Sequence, residues 1–300
     1  MGIVLHLLLP LAAPASSTSL RVATYNIDCR VCDLSHEHGS SFKERTERER
    51  AVLSEINADV IFIEEPVLAK DARMLLPTNR AWTVLQENRT HIFPLSFPDP
   101  DATLAVDADR FAVDDWGWLW LGPEPSRPGG FDIFNLPRIA VWGSLRDRRT
   151  NASFVAMATH FDHGDGTGKS TGPSTTECVQ SAREIASQLA NNSKLSGRPL
   201  LFGGDLNSHN TSHAYQILLA ETNLADTWFA TDRHTIYRND SSAAAAYKLT
   251  IDHILATPHF EVHGAGSSVR AWETGKGAKA HAVPPSDHFP VWADVELKLS

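Results

Sequence analysis

A series of short apolar runs, which continues from residue 20 almost to the last residue, restricts the fold of this chain more than any other feature. The runs comprise residues 20–25, 60–63, 118–121, 139–145, 154–159, 199–202, 249–255 and 291–297. Runs of these lengths, bordered by turn-forming residues, are typical of strands that are buried in stacked sheets.

Two helix start signals lie between these runs. Ser41-Phe-Lys-Glu44 and Ser174-Thr-Thr-Glu177 both match the capping box, in which a serine and a glutamate satisfy backbone N–H groups at the start of a helix. They predict helices over residues 43–57 and 177–190. Because helices and strands alternate without a linker or a repeat, residues 20–300 are predicted to form one α/β domain. Two long segments, 86–109 and 163–176, are expected to be loops that border a functional site.

The composition is that of a globular protein with a sizeable core, since 42% of the 300 residues are hydrophobic and 21% are charged. The formal net charge of −9 disfavours a protein that functions mainly by coating a nucleic-acid backbone. Such binding depends on Lys and Arg side chains that release counterions from the phosphates. The charge does not exclude an enzyme that reaches phosphates through a metal ion.

The first residues have the pattern of a secretion signal. Residues 3–13 are apolar over the length of a signal-peptide core, and Ala13-Pro14-Ala15 supplies the small residues that a signal peptidase requires. A signal peptide over residues 1–15 is therefore predicted. No Lys or Arg precedes the apolar core, so a buried N-terminal strand or arm is the alternative. The segment is too short to span a bilayer, and no stable membrane span is expected.

Five N-glycosylation acceptor motifs agree with secretion, and together with the N-terminal segment they predict a secreted glycoprotein. Their asparagines are Asn88, Asn151, Asn191, Asn210 and Asn239. All five lie in polar stretches that are expected to be loops, where a bulky glycan fits.

Residues that carry catalytic and metal-binding chemistry stand at the ends of the apolar runs. They are Asn26, Glu64, Glu65, His160, Asp162, His163, Asp205, Asn207, Asp252, Asp287 and His288. Strands that end at one edge of a sheet would bring these side chains into one cluster of amides, carboxylates and imidazoles. Such a cluster suits a hard divalent cation, Mg²⁺ or Mn²⁺.

Seven stretches of the sequence carry a family pattern. They are Ala23-Thr-Tyr-Asn26, Asp59-Val-Ile-Phe-Ile-Glu-Glu65, Leu136-Pro-Arg-Ile-Ala-Val-Trp142, Thr159-His-Phe-Asp-His163, Gly203-Gly-Asp-Leu-Asn207, Ile251-Asp-His-Ile254 and Ser286-Asp-His-Phe-Pro-Val291. In this order they resemble the endonuclease/exonuclease/phosphatase superfamily of metal-dependent phosphoesterases. The resemblance extends from about residue 20 to the end of the chain. It implies an α/β fold, a four-layer α/β/β/α sandwich of two packed mixed sheets.

The resemblance also implies which residues hold the metal and which transfer protons. Glu65, with Asn26 and Asp287 nearby, would hold the divalent ion. Glu64 is the weaker candidate, because the family's carboxylate falls on the second position of the glutamate pair. His288, with Asp252 behind it, would form an acid–base dyad in which the carboxylate orients the imidazole and stabilises its cationic form.

Other matching residues would act on the water and the phosphate. Asp205 and Asn207 would position the attacking water and the phosphate. His160 would donate to a non-bridging oxygen or assist the leaving group. Further candidates for contacts with the phosphate are Arg138, Asp162 and His163. A surface ion pair at the flank of a strand is the alternative role for Arg138.

Two further features are expected to be structural. His253 follows Asp252, and strand alternation directs it to the opposite face of the sheet. The run Trp116-Gly-Trp118-Leu-Trp120 is predicted to pack in the core rather than to form a platform for stacking bases.

The chain has three cysteines, so at least one of them lies outside any disulfide within the chain. A disulfide is predicted between Cys178 and either Cys29 or Cys32, because the segments that carry them follow strands that converge at the site. A bond between Cys29 and Cys32 is the alternative.

The predicted function is hydrolysis of phosphodiester bonds, as in a nuclease, or of phosphomonoester bonds, by metal-assisted attack of water, in a monomeric protein. The expected substrate is a nucleic acid, a nucleotide, a phospholipid or an inositol phosphate. A sphingomyelin or inositol-phosphate phosphoesterase is the alternative within the same chemistry, because fold does not determine substrate. A non-catalytic binding module on the same scaffold is the alternative outside it. The two long loops carry few basic residues, Arg89 and Lys169, which predicts a small or single-stranded phosphoester rather than a long duplex.

Overall fold

The apolar runs form the strands of two large sheets in a computed structural model of the chain, which describes residues 18–30, 41–89, 99–129, 137–162, 176–231, 234–238, 251–274 and 281–298. In chain order the elements are β1 (Ser19–Asn26), α1 (Phe42–Ile56), β2 (Val60–Glu64), α2 (Ala69–Leu75), β3 (Trp82–Gln86), β4 (Ala102–Asp107), β5 (Phe111–Leu121), β6 (Arg138–Asp147), β7 (Ser153–His160), α3 (Thr176–Asn191), β8 (Leu200–Asp205), α4 (His213–Glu221), β9 (Ala225–Asp226), β10 (His234–Arg238), β11 (Asp252–Ala256), β12 (Phe260–Val269), β13 (Trp272–Thr274), β14 (His281–Val283) and β15 (Val291–Leu297). Each predicted run overlaps one of these strands.

Both large sheets are mixed. The first sheet has the strand order β10-β12-β15-β1-β2-β4-β3, and the second has the order β5-β6-β7-β8-β11-β9. β1 and β2 are parallel, as are β7 and β8 and also β10 and β12, whereas the other neighbours are antiparallel. Strands β13 and β14 form a small separate sheet.

The main core lies between the two sheets. Val60 and Phe62 of β2 face Val141 of β6 and Ala156 of β7 across this layer, and all four side chains are fully buried. Burial of a large apolar side chain stabilises a fold by roughly 1.5–3 kcal/mol. The alternate residues of the same strands are apolar as well, because they face a second layer on the other side of each sheet.

Helices cover the outer faces of both sheets. Leu53 and Ile56 of α1 pack on Ile61 and Ile63 of β2, outside the first sheet. On the second sheet, α3 and α4 cover the outer face through residues that include Ile185 and Leu218. The order of layers is therefore helix, sheet, sheet, helix, which confirms the four-layer α/β/β/α sandwich that the resemblance implied.

The first predicted capping box is confirmed at the start of α1. The Ser41 side chain accepts a hydrogen bond from the Glu44 backbone N–H, and the Glu44 carboxylate accepts one from the Ser41 N–H at 2.9 Å. The helix ends at Asn57, which adopts the left-handed conformation with φ 55°. Helix α3 lies where the second box predicts it, although Ser174 itself is outside the described residues.

The prediction that residues 86–109 are a loop is wrong for their last part. Residues Ala102–Asp107 form β4, a fully buried strand that pairs with both β2 and β3. The Pro- and Asp-rich stretch before it is typical of a loop, and the apolar core of the strand is short. The sequence of this segment alone therefore does not predict a strand, and its pairing with β2 and β3 is what identifies one.

The predicted disulfide at Cys178 is also wrong. Cys29 is disulfide-bonded, whereas Cys178 is a buried thiol. Cys32, the alternative partner of Cys29, lies outside the described residues. Cys178 lies on the inner side of α3, in the core outside the second sheet, while Cys29 follows β1 of the first sheet. The strands converge, but these two residues lie in different layers.

The tryptophan run is only partly in the core. Trp120 is 3% exposed, whereas Trp116 is 40% and Trp118 is 42% exposed. The three residues share one face of β5, but β5 is the edge strand of its sheet. The prediction of core packing is therefore correct for Trp120 and wrong for the other two.

Asn151 and Asn191 of the predicted acceptor motifs are exposed, and Asn239 lies outside the described residues. Asn191 is the last residue of α3 rather than part of a loop. Residues 1–15, the predicted signal peptide, also lie outside the described residues. Among the helices of the described residues, none combines the length and hydropathy needed to cross a membrane.

Candidate functional site

The polar residues at the strand ends lie at one edge of the two packed sheets. Asn26 ends β1 and Glu65 follows β2, and these two strands are parallel. His160 and Asp205 end the parallel strands β7 and β8, where they are paired in register. Asp252 begins β11, which is antiparallel to β8, so that Asp252 pairs directly with Asp205. The strand directions therefore bring all of these residues to the same edge.

His288 and Asp252 form the predicted pair at this edge. His288 Nδ1 lies 2.8 Å from Asp252 Oδ2, and His288 Nε2 lies 3.7 Å from Asp205 Oδ2. Burial opposes the cationic form of His288, but the charges of Asp252 and Asp205 dominate and raise the pKa of the imidazole well above its usual range. The pair can therefore keep a proton at the site at neutral pH.

The loop that carries His288 is fixed to β1. The Ser286 hydroxyl donates to the Asn26 backbone carbonyl at 2.7 Å and accepts from the His288 backbone N–H at 3.1 Å. Asp287 lies between them, and its side chain is 56% exposed, with Oδ1 4.0 Å from His288 Nε2. Asp287 is thus at the rim of the cluster rather than inside it.

Asn26 joins the two sheets through its side chain. Its Nδ2 donates to Glu65 Oε1 and to Asp205 Oδ2, both at 3.0 Å. Glu65 also accepts from the Cys29 backbone N–H at 3.0 Å, and it has the left-handed conformation with φ 69°. For a non-glycine residue this conformation costs energy, and such strain is found most often at functional sites.

Glu64 lies deeper than Glu65. It is fully buried, and the Thr24 hydroxyl lies 3.2 and 3.1 Å from its two carboxylate oxygens. Burial raises the pKa of Glu64 well above its usual range, and the charges of Asp252 and Asp205 raise it further. The carboxylates of Glu64, Asp205 and Asp252 are therefore crowded together here.

Two glycines allow β8 to pass through this crowded region. A Cβ on Gly204, whose φ is 142°, would lie 1.8 Å from the Thr159 carbonyl oxygen and 3.2 Å from Glu64 Oε1. A Cβ on Gly203 would lie 2.5 Å from the His253 carbonyl oxygen. Both positions require glycine because the neighbouring backbone leaves no space for a side chain.

Asp205 and Asn207 form a tight turn after β8. The Asn207 backbone N–H donates to Asp205 Oδ1 at 2.8 Å, and Asn207 Nδ2 donates to the Phe161 carbonyl at 3.0 Å. Burial would raise the pKa of Asp205, but the charges of His288 and His160 lower it overall. Asp205 thus presents a carboxylate between two imidazoles.

His160 is held by a residue that the sequence analysis did not identify. Its Nδ1 lies 3.1 Å from Asp101 Oδ1, and its Nε2 lies 3.5 Å from Asp205 Oδ2. Arg138 Nη1 lies 3.0 Å from His160 Nδ1 and 3.2 Å from Asp101 Oδ2, and Arg89 Nη1 lies 2.9 Å from Asp101 Oδ1. Burial would raise the pKa of Asp101, but the charges of Arg89, His160 and Arg138 hold it well below its usual range.

The sequence holds only one weak signal for Asp101. It stands directly before β4, at the same sheet edge as the other polar residues, but the apolar part of β4 is short. Asp162 is buried next to the site, and its charge contributes to raising the pKa of Arg138 against the effect of burial. Arg138 is thus buried in an ionic network and is not part of a surface ion pair. His163 lies outside the described residues.

His253 lies on the other face of β11, as strand alternation predicted. Its Nδ1 lies 2.9 Å from Asp226 Oδ2, and its Nε2 lies 2.9 Å from the Ser208 carbonyl oxygen. The Tyr215 hydroxyl donates to the same Asp226 oxygen at 2.9 Å. The residue belongs to a buried network behind the site.

The donor set of the site fits a hard divalent cation. One ligand atom each from Asp205, Asp252 and His288 lies within 4.8 Å of the other two. Glu65 adds a carboxylate close to Asp205, since Asn26 Nδ2 donates to both of them, and the crowded carboxylates have an excess of negative charge that a cation would neutralise. This grouping differs from the predicted one, because Asp287 is at the rim and Asp205 is at the centre.

Comparisons with known proteins agree with the fold. The model of the Endonuclease/Exonuclease/phosphatase family matches residues 23–288. Among solved structures, a protein of this family from Bacteroides thetaiotaomicron has a TM-score of 0.76 at 22% identity, covering 95% of this chain and all of that one. A mannosyl-6-phosphatase from the same organism has a TM-score of 0.75 at 23% identity, covering 92% of this chain and 99% of that one.

A structure of lower similarity also matches nearly the whole chain. The catalytic domain of human nocturnin has a TM-score of 0.63 at 15% identity, and the match covers 94% of this chain and 96% of that one. No match is found among curated proteins. Members of the matched family include hydrolases of phosphoester bonds, and many of them use a divalent metal. With the family model matching almost the whole described sandwich, the chain belongs to the endonuclease/exonuclease/phosphatase family.

Proposed function

We propose that the protein is a divalent-metal-dependent phosphoesterase that hydrolyses its substrate by direct attack of water, with Asp252 and His288 as the acid–base dyad. The observation that carries this proposal is the 2.8 Å contact between these two residues, with Asp205 on the other side of the imidazole. In this arrangement Asp252 orients the ring through Nδ1, so that Nε2 faces the water and phosphate. General acid–base catalysis of this kind typically contributes about 10²–10⁴-fold to the rate.

Asp205 and Asn207 position the attacking water and the phosphate. Their turn after β8 is fixed by hydrogen bonds within the loop and to Phe161, which limits their movement. Glu65 and Asn26, with Asp205 beside them and Asp287 at the rim, are the residues that would hold Mg²⁺ or Mn²⁺. A bound ion of this kind supplies positive charge that neutralises the phosphate oxygens.

His160 and Arg138 complete the phosphate site. His160 Nε2 faces Asp205 and the centre of the cluster, while its Nδ1 is held by Asp101. We assign to His160 the donation of a hydrogen bond to a non-bridging phosphate oxygen. Arg138 contributes positive charge from behind His160, and Asp162 supports the charge of Arg138.

We further propose that the substrate is a small phosphoester. One of the similar structures is a mannosyl-6-phosphatase, so a sugar phosphate is the first substrate to test. Sphingomyelin and inositol phosphates are alternatives with the same reaction chemistry.

The experiment is a panel assay of the purified protein with mannose 6-phosphate, inositol phosphates, sphingomyelin, a generic phosphodiester, RNA, and single- and double-stranded DNA. Turnover is expected to stop with excess chelator and to return with Mg²⁺ or Mn²⁺. Glu65→Gln should need a higher metal concentration for half-maximal rate, whereas Glu261→Gln, on an exposed side chain, should not. Undiminished turnover in excess chelator would contradict the proposal.

Secretion and glycosylation are also proposed. The apolar N-terminal segment and the exposed Asn151 and Asn191 support them. Expression in a eukaryotic secretory cell should release the protein into the medium, and enzymatic deglycosylation should reduce its mass. An unchanged mass for the released protein would contradict glycosylation.

A further inference from the structure

The side chain of His253 connects two segments of the second sheet behind the candidate site. Its Nδ1 lies 2.9 Å from Asp226 Oδ2, at the end of β9, and its Nε2 lies 2.9 Å from the carbonyl oxygen of Ser208, in the turn after β8. The imidazole is fully buried. Because a carbonyl oxygen can only accept a hydrogen bond, Nε2 carries a proton and is the donor to Ser208.

Several groups fix the imidazole at its Asp226 end. The Tyr215 hydroxyl of α4 donates to Asp226 Oδ2 at 2.9 Å, and the Trp228 backbone N–H donates to Asp226 Oδ1 at 2.8 Å. Burial and the charge of Asp226 raise the pKa of Tyr215, so the phenol keeps the proton that it shares with the carboxylate. The Tyr215 ring also packs on the imidazole, with ring centroids 4.8 Å apart. These contacts hold the imidazole in one orientation, in which Nε2 faces the turn.

The Ser208 end of this connection adjoins a residue of the site that has an unfavourable backbone conformation. Asn207 has φ 45°, in the left-handed region, which costs energy in a residue other than glycine. Such a conformation persists only where the surrounding contacts enforce it. Asn207 Nδ2 donates to the Phe161 carbonyl at 3.0 Å, and His253 holds the carbonyl of the residue that follows Asn207. Loss of the His253 contact would therefore allow the Asn207 backbone to relax.

The backbone of His253 belongs to the strand that carries the carboxylate of the dyad. β11 pairs with β8 so that Asp252 lies opposite Asp205. The Asp252 side chain contacts His288 on one face of β11, whereas the His253 side chain contacts Ser208 on the other. Two consecutive residues of β11 therefore contact the imidazole of the dyad and the turn after β8.

We infer that His253 is a positioning residue for the hydrolysis proposed above, on which this role rests. Through the Ser208 carbonyl it fixes the turn that carries Asp205 and Asn207 relative to Asp252. The water and the phosphate are thereby held at a set distance from the dyad. A displacement of about 1 Å in such a group costs roughly 10²-fold in rate. His253 itself does not touch the substrate, because its side chain lies on the face of β11 opposite to that of Asp252.

Two amide substitutions separate this role from a purely structural one. The side-chain nitrogen of glutamine can take the place of Nε2 of histidine, and that of asparagine can take the place of Nδ1. His253→Gln therefore keeps the donor to Ser208 and loses the donor to Asp226, whereas His253→Asn does the reverse. Each variant lacks one buried hydrogen bond, so both should unfold at similarly lowered urea concentrations. A purely structural role predicts the same kcat per folded molecule for both.

The positioning role predicts that kcat differs between them. With saturating metal and a substrate that the panel assay identifies, kcat of His253→Asn should fall roughly 10²-fold and KM should change less, whereas His253→Gln should stay close to the wild type. Tyr215→Phe removes only the hydroxyl that donates to Asp226, and this control should unfold at lower urea without a loss of kcat. If His253→Asn does not fold, His253→Met, which fills the space without a donor, takes its place with the same expected loss.

Hydrogen exchange of backbone amides tests the same contact without turnover. The Asn207 N–H donates to Asp205 Oδ1, and the Leu206 N–H donates to the Ile251 carbonyl. Exchange at these two amides should be about tenfold faster in His253→Asn than in His253→Gln, because the turn opens more easily without its donor. A wild type that hydrolyses no substrate of the panel would contradict the proposed function alone. Equal exchange at these amides in the two variants would overturn the positioning role, and so would equal kcat per folded molecule.

Discussion

Asp252 is a carboxylate whose conversion to an amide tests its role with little change in shape. Its Oδ2 lies 2.8 Å from His288 Nδ1, and its charge is the leading cause that raises the pKa of this imidazole against burial. Asp252→Asn should lower kcat by about 10²–10⁴-fold, since the amide cannot stabilise the imidazolium. The limb of the pH–rate profile that reports His288 should move to lower pH, because the removed charge had raised that pKa.

The chain offers a matched control for this substitution. Asp226 holds His253 at 2.9 Å in a second buried Asp–His pair, on the opposite face of β11. Asp226→Asn should reduce stability but leave the position of that limb unchanged. A wild-type rate for folded Asp252→Asn would remove this residue from the mechanism.

Asp101 links the phosphate site to the stability of the fold. It is 1% exposed and lies beside Arg89, Arg138 and His160. Asp101→Asn should reduce the free energy of unfolding by about 3–5 kcal/mol, because it leaves buried cations without their anion. The matched control Asp114→Asn should have little effect on stability, because both partners of the Asp114–Arg146 ion pair are exposed to solvent.

The pH dependence of this effect has a definite sign. A carboxyl group with a lowered folded-state pKa stabilises the fold above its unfolded pKa, and this contribution is lost as the pH falls towards the folded value. The stability difference between wild type and Asp101→Asn should therefore shrink below about pH 4. Denaturant titrations at several pH values measure it, and a difference that grows in acid would contradict the assignment.

Most side chains of the site could be predicted from the sequence because they follow apolar runs. Asn26 and Asp205 each end a strand, Asp252 begins one, and the strand directions bring the three together. Asp101 could not be found in this way, because it precedes its strand and belongs to a Pro- and Asp-rich segment that is typical of a loop. The rim position of Asp287 depends on how the 284–288 loop leaves the sheet, which the sequence pattern does not contain.

At the scale of elements, α1 positions two loops of the site through one buried arginine. Arg45 is fully buried, and its guanidinium donates to the carbonyl groups of Ile27 at 2.9 Å, Asp28 at 2.7 Å and Pro285 at 3.0 Å. The first two carbonyls follow Asn26, and the third precedes Asp287 and His288. The helix therefore sets the distance between the metal-binding and acid–base parts of the site.

Arg45→Met should leave these carbonyls without a donor and the neighbouring Asp28 and Glu49 without a cation. We expect a loss of about 3–5 kcal/mol in the free energy of unfolding. In Arg45→Lys, the charge remains but the planar fork does not, so stability should recover only in part. A displacement of about 1 Å in a catalytic group costs roughly 10²-fold in rate, and kcat of the folded lysine variant should fall accordingly.

Arg48→Lys, one turn further along the same helix and only half-buried, serves as the control and should retain both stability and kcat. Urea unfolding and single-substrate kinetics at saturating metal give the two measurements. If Arg45→Lys retains the wild-type kcat, α1 does not position the site through this residue.

Elements were predictable to the extent that their own sequence patterns specify them. The capping box located the start of α1, and the buried runs located most central strands. The exposure of Trp116 and Trp118 reversed an expectation, since both share the face of β5 that buries Trp120 between the sheets. Whether an inward-facing residue is covered depends on the width of the opposite sheet, which only the assembled fold determines.

On the scale of the whole molecule, the charge distribution limits the size of the substrate. The net charge is −9, and an enzyme that grips a long duplex presents a basic surface whose binding weakens steeply with salt. Arg89, one of the few basic residues in the segments around the site, is not available to a phosphate backbone. Its guanidinium lies 2.9 Å from both Asp99 and Asp101 and is nearly buried.

We therefore expect weak binding of double-stranded DNA and a shallow dependence of that binding on salt. Each phosphate that a protein neutralises contributes a slope of about −0.9 to log K against log salt concentration on B-DNA, so a site with few free cations gives a slope near zero. The measurement is KM for a long duplex and for a short phosphodiester, each at two ionic strengths. A short substrate should have the lower KM at both, because its phosphate needs only the buried groups around His160 and His288. A low KM for the duplex that rises many-fold with salt would instead indicate a basic groove and a deoxyribonuclease.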